Sequence, residues 1–165
     1  MLPLQTPCIQ LEHQMSPEQK ALVKETWLKV VPMADTAARL FYERLFEIDA
    51  TSEPLFKTTN LAEQRRKLIQ ALSMVMQGLD HLEALVPTLA NLGRRHAQYG
   101  VTDSQYETVG AALLWTLEQG LGSAWTPEVK SAWSAAYFLL ADVMRRAASE
   151  PAPKPTTAAL SQSRS

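Results

Sequence analysis

One cysteine, Cys8, stands in a chain of 165 residues. A single thiol excludes an internal disulfide framework and suits a reducing cytoplasm. Histidine is nearly as scarce, with His13, His81 and His96 the full set. Excess charge is missing as well: Lys+Arg 16 stand against Asp+Glu 17, a formal net charge of −1. That balance calls for neither nucleic acid nor an anionic membrane as partner. No apolar run is long enough to span a bilayer. No run alternates with period two over a useful length, which excludes a sheet protein. The opening "MLPLQTPCIQLEHQM" lacks a positive leading segment, and prolines break its apolar content, so it does not read as a signal peptide. What remains is a hydrophobic fraction of 46%, ordinary for a globular protein. It is arranged in three- and four-residue steps.

Composition divides the chain in three. Residues 1–15 carry no clear period and read as a flexible leader. Residues 149–165 fall in "SEPAPKPTTAALSQSRS", rich in Pro, Ala, Ser and Thr. Such a segment buries too little apolar surface to offset the entropy of ordering it, so it is expected to be disordered. Residues 16–148 are long enough for one domain with a real core.

That middle part is all-α, with six or seven helices expected. Ser16-Pro17-Glu18-Gln19 combines an N-cap, a proline at the first helical position and a glutamine three residues after the cap. Leu22, Val23, Trp27, Val30 and Val31 form the apolar side of that helix, and Pro32 ends it. Asp35 can cap a second helix, whose buried side uses Ala38, Phe41, Tyr42, Leu45 and Phe46. "DATSEPLF" then breaks the period and leaves Phe56 in or beside a loop. Leu61, Leu68, Leu72, Val75 and Leu79 mark a long third helix. "HLEALVPTLANLGRRHAQYG" follows, with Pro87 inside it. Thr102 with Gln105 opens another helix, striped by Tyr106, Val109, Leu113, Leu117 and Leu121. Thr126-Pro127-Glu128 starts the last, with Val129, Trp133, Ala136, Leu140 and Val143 facing inward.

His96 is the residue that bears on function. Leu85, Leu89, Leu92 and His96 are spaced by four, three and four, so the imidazole lies on the apolar stripe of its helix. Two readings stand. One is a core histidine hydrogen-bonded to a backbone carbonyl. The other is a metal ligand. A protein-only zinc site needs about four clustered ligands, and Cys8, His13 and His81 are too scattered to supply them. Haem is different, because the porphyrin brings four nitrogens and the protein need add only one axial ligand. On facing stripes, Gln64 stands four residues before Leu68 where an apolar side chain is expected, and Tyr42 places a hydroxyl on a buried side. Either alone has an ordinary structural explanation. With His96 they describe a cavity with one ligand on one side and two hydrogen-bonding groups on the other.

The ordered set "LFYERLF", "PLF", "EQRRKLIQ", "LGRRHAQYGV", "QYETVG" and "AWSAAYFLLADVM" resembles the bacterial single-domain globins and the haem domain of flavohaemoglobins. The resemblance covers Ser16 to about Arg146. It implies a globin fold of six to eight helices around a haem b pocket. It makes His96 the proximal iron ligand, Phe56 the ring against the haem, and Gln64 and Tyr42 the distal pair. Leu68 becomes the apolar residue over the iron, and Lys67 the partner of a haem propionate. Leu92, Val101, Tyr106 and Val109 line the proximal side and haem edge, and Arg95 stands at that edge or the proximal loop. The family also places a glutamate near the end of the last helix, joined to the proximal histidine and a tyrosine. Tyr106 matches the tyrosine, but the glutamate position falls on Ala148, with Glu150 two residues on. A two-residue step turns a helical side chain by about 200°.

By this resemblance the ligands are diatomic gases: oxygen, nitric oxide and carbon monoxide. Two donors of about 1.5–3 kcal/mol each on a partly negative oxygen imply high affinity and slow release. Oxygen storage or scavenging and nitric oxide detoxification are the expected roles. A nitric oxide dioxygenase served by a separate reductase is the enzyme alternative. A haem-based sensor or partner-binding globin module is the third. A cytoplasmic monomer or weak homodimer is the expected form.

Overall fold

Ser16 closes the first turn of the first helix as its composition implies. Its hydroxyl accepts from the Gln19 amide at 3.1 Å, and Gln19 Oε1 accepts from the Ser16 amide at 3.1 Å. In the computed structural model, which describes residues 15–149, that turn opens α1 (Pro17–Val30). Five more α-helices follow among the described residues: α2 (Ala34–Ile48), α3 (Leu61–Gly78), α4 (Leu82–Gln98), α5 (Asp103–Leu121) and α6 (Pro127–Ser149). Short 3-10 segments at Val31–Met33, Ala50–Phe56, Leu79–His81 and Gly122–Ala124 join them. None of the described residues forms a strand. No helix among them is long and apolar enough to cross a membrane. The leader and tail expected at 1–15 and 149–165 lie outside the described residues apart from Met15, which is buried, and Ser149, which ends α6.

α1 packs on α6, and Val23 and Val30 of the one and Trp133 and Leu139 of the other are all buried. Trp27 and Trp133 meet with ring centroids 6.4 Å apart. The polar edge of Trp133 is satisfied inside: its Nε1–H donates to Thr26 Oγ1 at 2.8 Å, and the Thr26 hydroxyl donates to the Leu22 carbonyl at 2.7 Å. A buried indole N–H without a partner would cost about 1–3 kcal/mol, so Thr26 is as much a core residue as the tryptophans around it. α4 also runs closely along α6. A Cβ on Gly93 would stand 2.2 Å from the Met144 carbonyl oxygen, so only glycine permits that crossing.

Three local expectations are corrected. Val31 belongs to the 3-10 turn after α1 and is 47% exposed, because the tighter turn rotates it off the apolar side. Asp35 lies inside the first turn of α2, which Met33 precedes as N-cap; its carboxylate instead takes Arg65 Nε at 3.4 Å. Leu61 is the first residue of α3 and is exposed, since the buried stripe is established only later in the helix. The residue that caps α3 is Asn60, whose Oδ1 accepts from the amides of Ala62 and Glu63 at 3.0 and 3.3 Å.

Candidate functional site

α2 and α3 carry one wall of the site. Tyr42 follows Phe41 and Ala38 on the inner face of α2 and is buried. Gln64 stands on the first turns of α3 and is half-buried. Burial, the larger effect, pushes the Tyr42 hydroxyl above its ordinary value, and the neighbouring Gln64 amide draws it part of the way back. Tyr42 therefore remains a protonated donor through neutral and mildly alkaline pH. Aromatic rings back it. Phe41 and Phe56 meet Tyr42 edge-on at 5.0 and 5.5 Å between centroids, and Phe46 lies 6.1 Å away. Phe56 reaches this place from the end of the 3-10 segment Ala50–Phe56, the ordered form of the expected break.

α4 and α5 carry the other wall. His96 sits in the last turn of α4 and is half-buried. Its Nδ1 lies 2.7 Å from the Leu92 carbonyl oxygen. A carbonyl can only accept, so Nδ1 carries a proton, and in the neutral ring Nε2 is the nitrogen that keeps a lone pair. The helix ends directly after. The Gly100 amide donates to the Ala97 carbonyl at 3.1 Å, and the Val101 amide to the His96 carbonyl at 3.0 Å. Gly100 has φ +87, and this bond pair with a left-handed glycine is a Schellman ending. The final residues of "LGRRHAQYGV" thus fix the turn that holds the histidine.

Tyr106, on the first turn of α5, has its ring centroid 6.4 Å from that of His96. Its hydroxyl is buried without a hydrogen-bond partner among the described residues. Ala148 offers no acceptor, and Glu150 lies outside the described residues. Arg145 places its guanidinium 5.7 Å from the centre of the Tyr106 ring. The Tyr137 hydroxyl donates to the Tyr106 carbonyl. Burial raises the Tyr106 hydroxyl above its ordinary range, Arg145 lowers it and Asp103 raises it. Sequence reasoning missed Tyr137 and Arg145 as neighbours of the site. Tyr137 could have been found, since it stands four residues after the buried Trp133; Arg145 carried no such signal.

The inner faces of the two walls are incompletely covered. Leu68 and Leu72 on α3, Leu92 and His96 on α4, and Val109 on α5 lie on the inner faces of their helices, yet each stays half-buried. Lys67 and Arg95 are exposed, and Val101 is half-buried where α4 has ended. No group of three or more His, Cys, Asp or Glu that could hold a metal ion occurs among the described residues. One imidazole with a free Nε2, apolar inner faces left half open and two exposed cations nearby make a donor set that fits a haem. It does not fit a metal held by protein alone.

A family model described as Globin matches residues 39–144, the stretch from α2 to α6 that carries both walls. The chain belongs to the globin family. Membership implies a pocket that binds haem and diatomic gases. A flavohemoprotein of Deinococcus radiodurans is 33% identical over 132 residues, covering 79% of this globin and 33% of the relative. A flavohemoprotein of Bacillus subtilis is 29% identical, covering 73% of this chain and 31% of the relative. Neuroglobin of Danio rerio is 28% identical, covering 81% of this chain and 92% of the relative. This globin thus spans about a third of the length of the two flavohemoproteins.

Proposed function

We propose that this globin binds dioxygen, and nitric oxide in the same pocket, at a haem b whose iron is held by His96. The observation that carries the reading is the pair of unlike walls: a buried tyrosine beside a glutamine on one side, and a single imidazole with its Nδ1 committed on the other. When bound, haem supplies an iron with one coordination position for a diatomic gas. His96 offers Nε2 to that iron, while the Leu92 carbonyl fixes its tautomer and ring direction. Phe56 would lie against the porphyrin, Leu68 would pack beside it, Lys67 would pair with a propionate and Arg95 would stand at the edge. Leu92, Val101, Tyr106 and Val109 line the proximal side.

Tyr42 and Gln64 donate to a gas ligand that gains negative charge, which favours dioxygen over carbon monoxide. Each such bond contributes about 1.5–3 kcal/mol. A carbonyl behind His96, where a carboxylate would make the ring a stronger donor, favours reversible binding over peroxidase-like chemistry. The unpartnered Tyr106 hydroxyl and Ala148 point the same way. Tyr42→Phe should speed oxygen release by about ten- to a hundredfold in stopped-flow experiments, since each 1.4 kcal/mol is a factor of ten. Equal rates in the two proteins would remove the basis of the reading.

The flavohemoprotein relatives support a second reading, nitric oxide dioxygenation with electrons from a separate reductase. Sustained nitrate formation with a reductase supplied, against none with free haem, separates catalysis from storage. We further propose that the chain works in the cytoplasm as a monomer or weak homodimer.

A further inference from the structure

Two donor groups meet on the side of Tyr106 that faces α6, and neither has an acceptor among the described residues. The Tyr106 hydroxyl is buried, in a residue only 7% exposed, and makes no hydrogen bond. Arg145 is half-buried and holds its guanidinium 5.7 Å from the centre of the Tyr106 ring. Its charge is felt by the hydroxyls of both Tyr106 and Tyr137. Asp142, three residues back on α6, is taken by Arg146 at 3.0 Å. Tyr137 is taken as well, since its hydroxyl donates to the Tyr106 carbonyl. Ala148, one turn after Arg145, ends in a methyl group.

A buried donor left unmatched is costly, and a half-buried cation without a counter-charge adds to that cost. A water molecule would answer the hydroxyl and leave the charge unbalanced. An anion with at least two oxygens answers both. The planar guanidinium fork takes two oxygens side by side, and one of them can also accept from the tyrosine. Small carboxylates and nitrate have that flat, forked shape; chloride does not. Asp103, exposed on the first turn of α5, is the charge that opposes such a ligand.

We propose that Tyr106 and Arg145 form a binding site for a small planar oxyanion of single charge. The site stands apart from the haem reading, because none of its groups is asked to hold iron. Thermal unfolding of the ferrous carbon monoxide complex tests it, since the iron is then closed to the added anion. At constant ionic strength, formate or nitrate in place of the bulky gluconate should raise the unfolding midpoint by a saturable amount. Stronger binding of formate would name a carboxylate as the ligand, and stronger binding of nitrate an inorganic oxyanion. Chloride should do much less than either. Arg145→Gln and Tyr106→Phe should each weaken binding by about tenfold, Arg145→Lys should fall between, and Asp103→Asn should bind more tightly. In gluconate Tyr106→Phe should be at least as stable as the wild type, and in saturating formate the order should reverse, which a purely structural tyrosine would not do. Equal shifts in wild type and variants, or a midpoint that follows ionic strength alone, would overturn the site. If no carbon monoxide complex forms, the haem reading fails by itself, and the same titration of the protein as purified still decides this proposal.

Discussion

The seam between α1 and α6 and the two walls around Tyr42 and His96 are built on opposite rules. In the seam Val23, Trp27, Val30 and Trp133 are buried, and the Trp133 N–H is matched by Thr26. Around the site, inner-face residues such as Leu68, Leu92 and His96 remain half-buried, and the Tyr106 hydroxyl has no partner among the described residues. Close packing gives the first region its stability. The second leaves that stabilisation unmade, and a globin's ligand chemistry depends on what it leaves open. Changes in the seam should therefore cost stability and spare ligand binding, while deleting an unmatched group at the site should cost no stability and can add some.

The sharpest break is Trp133→Ala. It removes a buried indole and strands Thr26, and should cost about 3–5 kcal/mol in urea unfolding. The carbon monoxide spectrum of the protein that remains folded should be unaltered; a shifted spectrum would mean the two regions are not separate. Gly100→Ala tests the turn after His96. An L-residue in that left-handed position should cost about 1–2 kcal/mol. Any change in ligand kinetics beyond that would show that the turn also sets the histidine.

The smallest expected effect has the opposite sign. Tyr106→Phe deletes an unpaired buried hydroxyl and should stabilise the fold by about 1 kcal/mol, leaving oxygen release as it was. It should also change the alkaline limb. Tyr42, Tyr106 and Tyr137 all have hydroxyls raised in the fold, chiefly by burial. The unfolded chain gives up these protons near pH 10 while the folded chain keeps them. Stability is thus intact below about pH 10 and falls as pH rises toward the folded values. Unfolding midpoints measured from neutral to alkaline pH should decline less steeply in Tyr106→Phe than in the wild type.

Much of this architecture is legible in local signals. The Ser16–Gln19 box, and the Thr102 amide donating to Gln105 Oε1 at 2.9 Å, lie within four residues of chain. The steps of four, three and four put His96 on the inner stripe of α4, and Tyr42 is inward by the same logic. Val31 and Asp35 escaped because a 3-10 turn replaces the expected boundary, and sequence period cannot tell a tightening turn from an ending helix. Asn60 was passed over as a cap because nothing apolar precedes it to frame the start of α3. The environment of Tyr106 was hidden for a deeper reason. Its neighbours Tyr137 and Arg145 come from the last helix, and only the packing of α6 on α4 and α5 brings them there. The matching of Ala148 to the family's glutamate position raised the question of an acidic partner for the tyrosine, and no described residue bonds its hydroxyl.

The central claim is that His96 holds haem iron opposite Tyr42 and Gln64. Absorption spectra of the purified protein, oxidised, reduced and with carbon monoxide, test it most directly when wild type and His96→Ala are compared. The wild type should show a Soret band and a five-coordinate ferrous form that converts to a single carbon monoxide complex. His96→Ala should lose that ferrous form. Its survival in the variant would contradict the assignment.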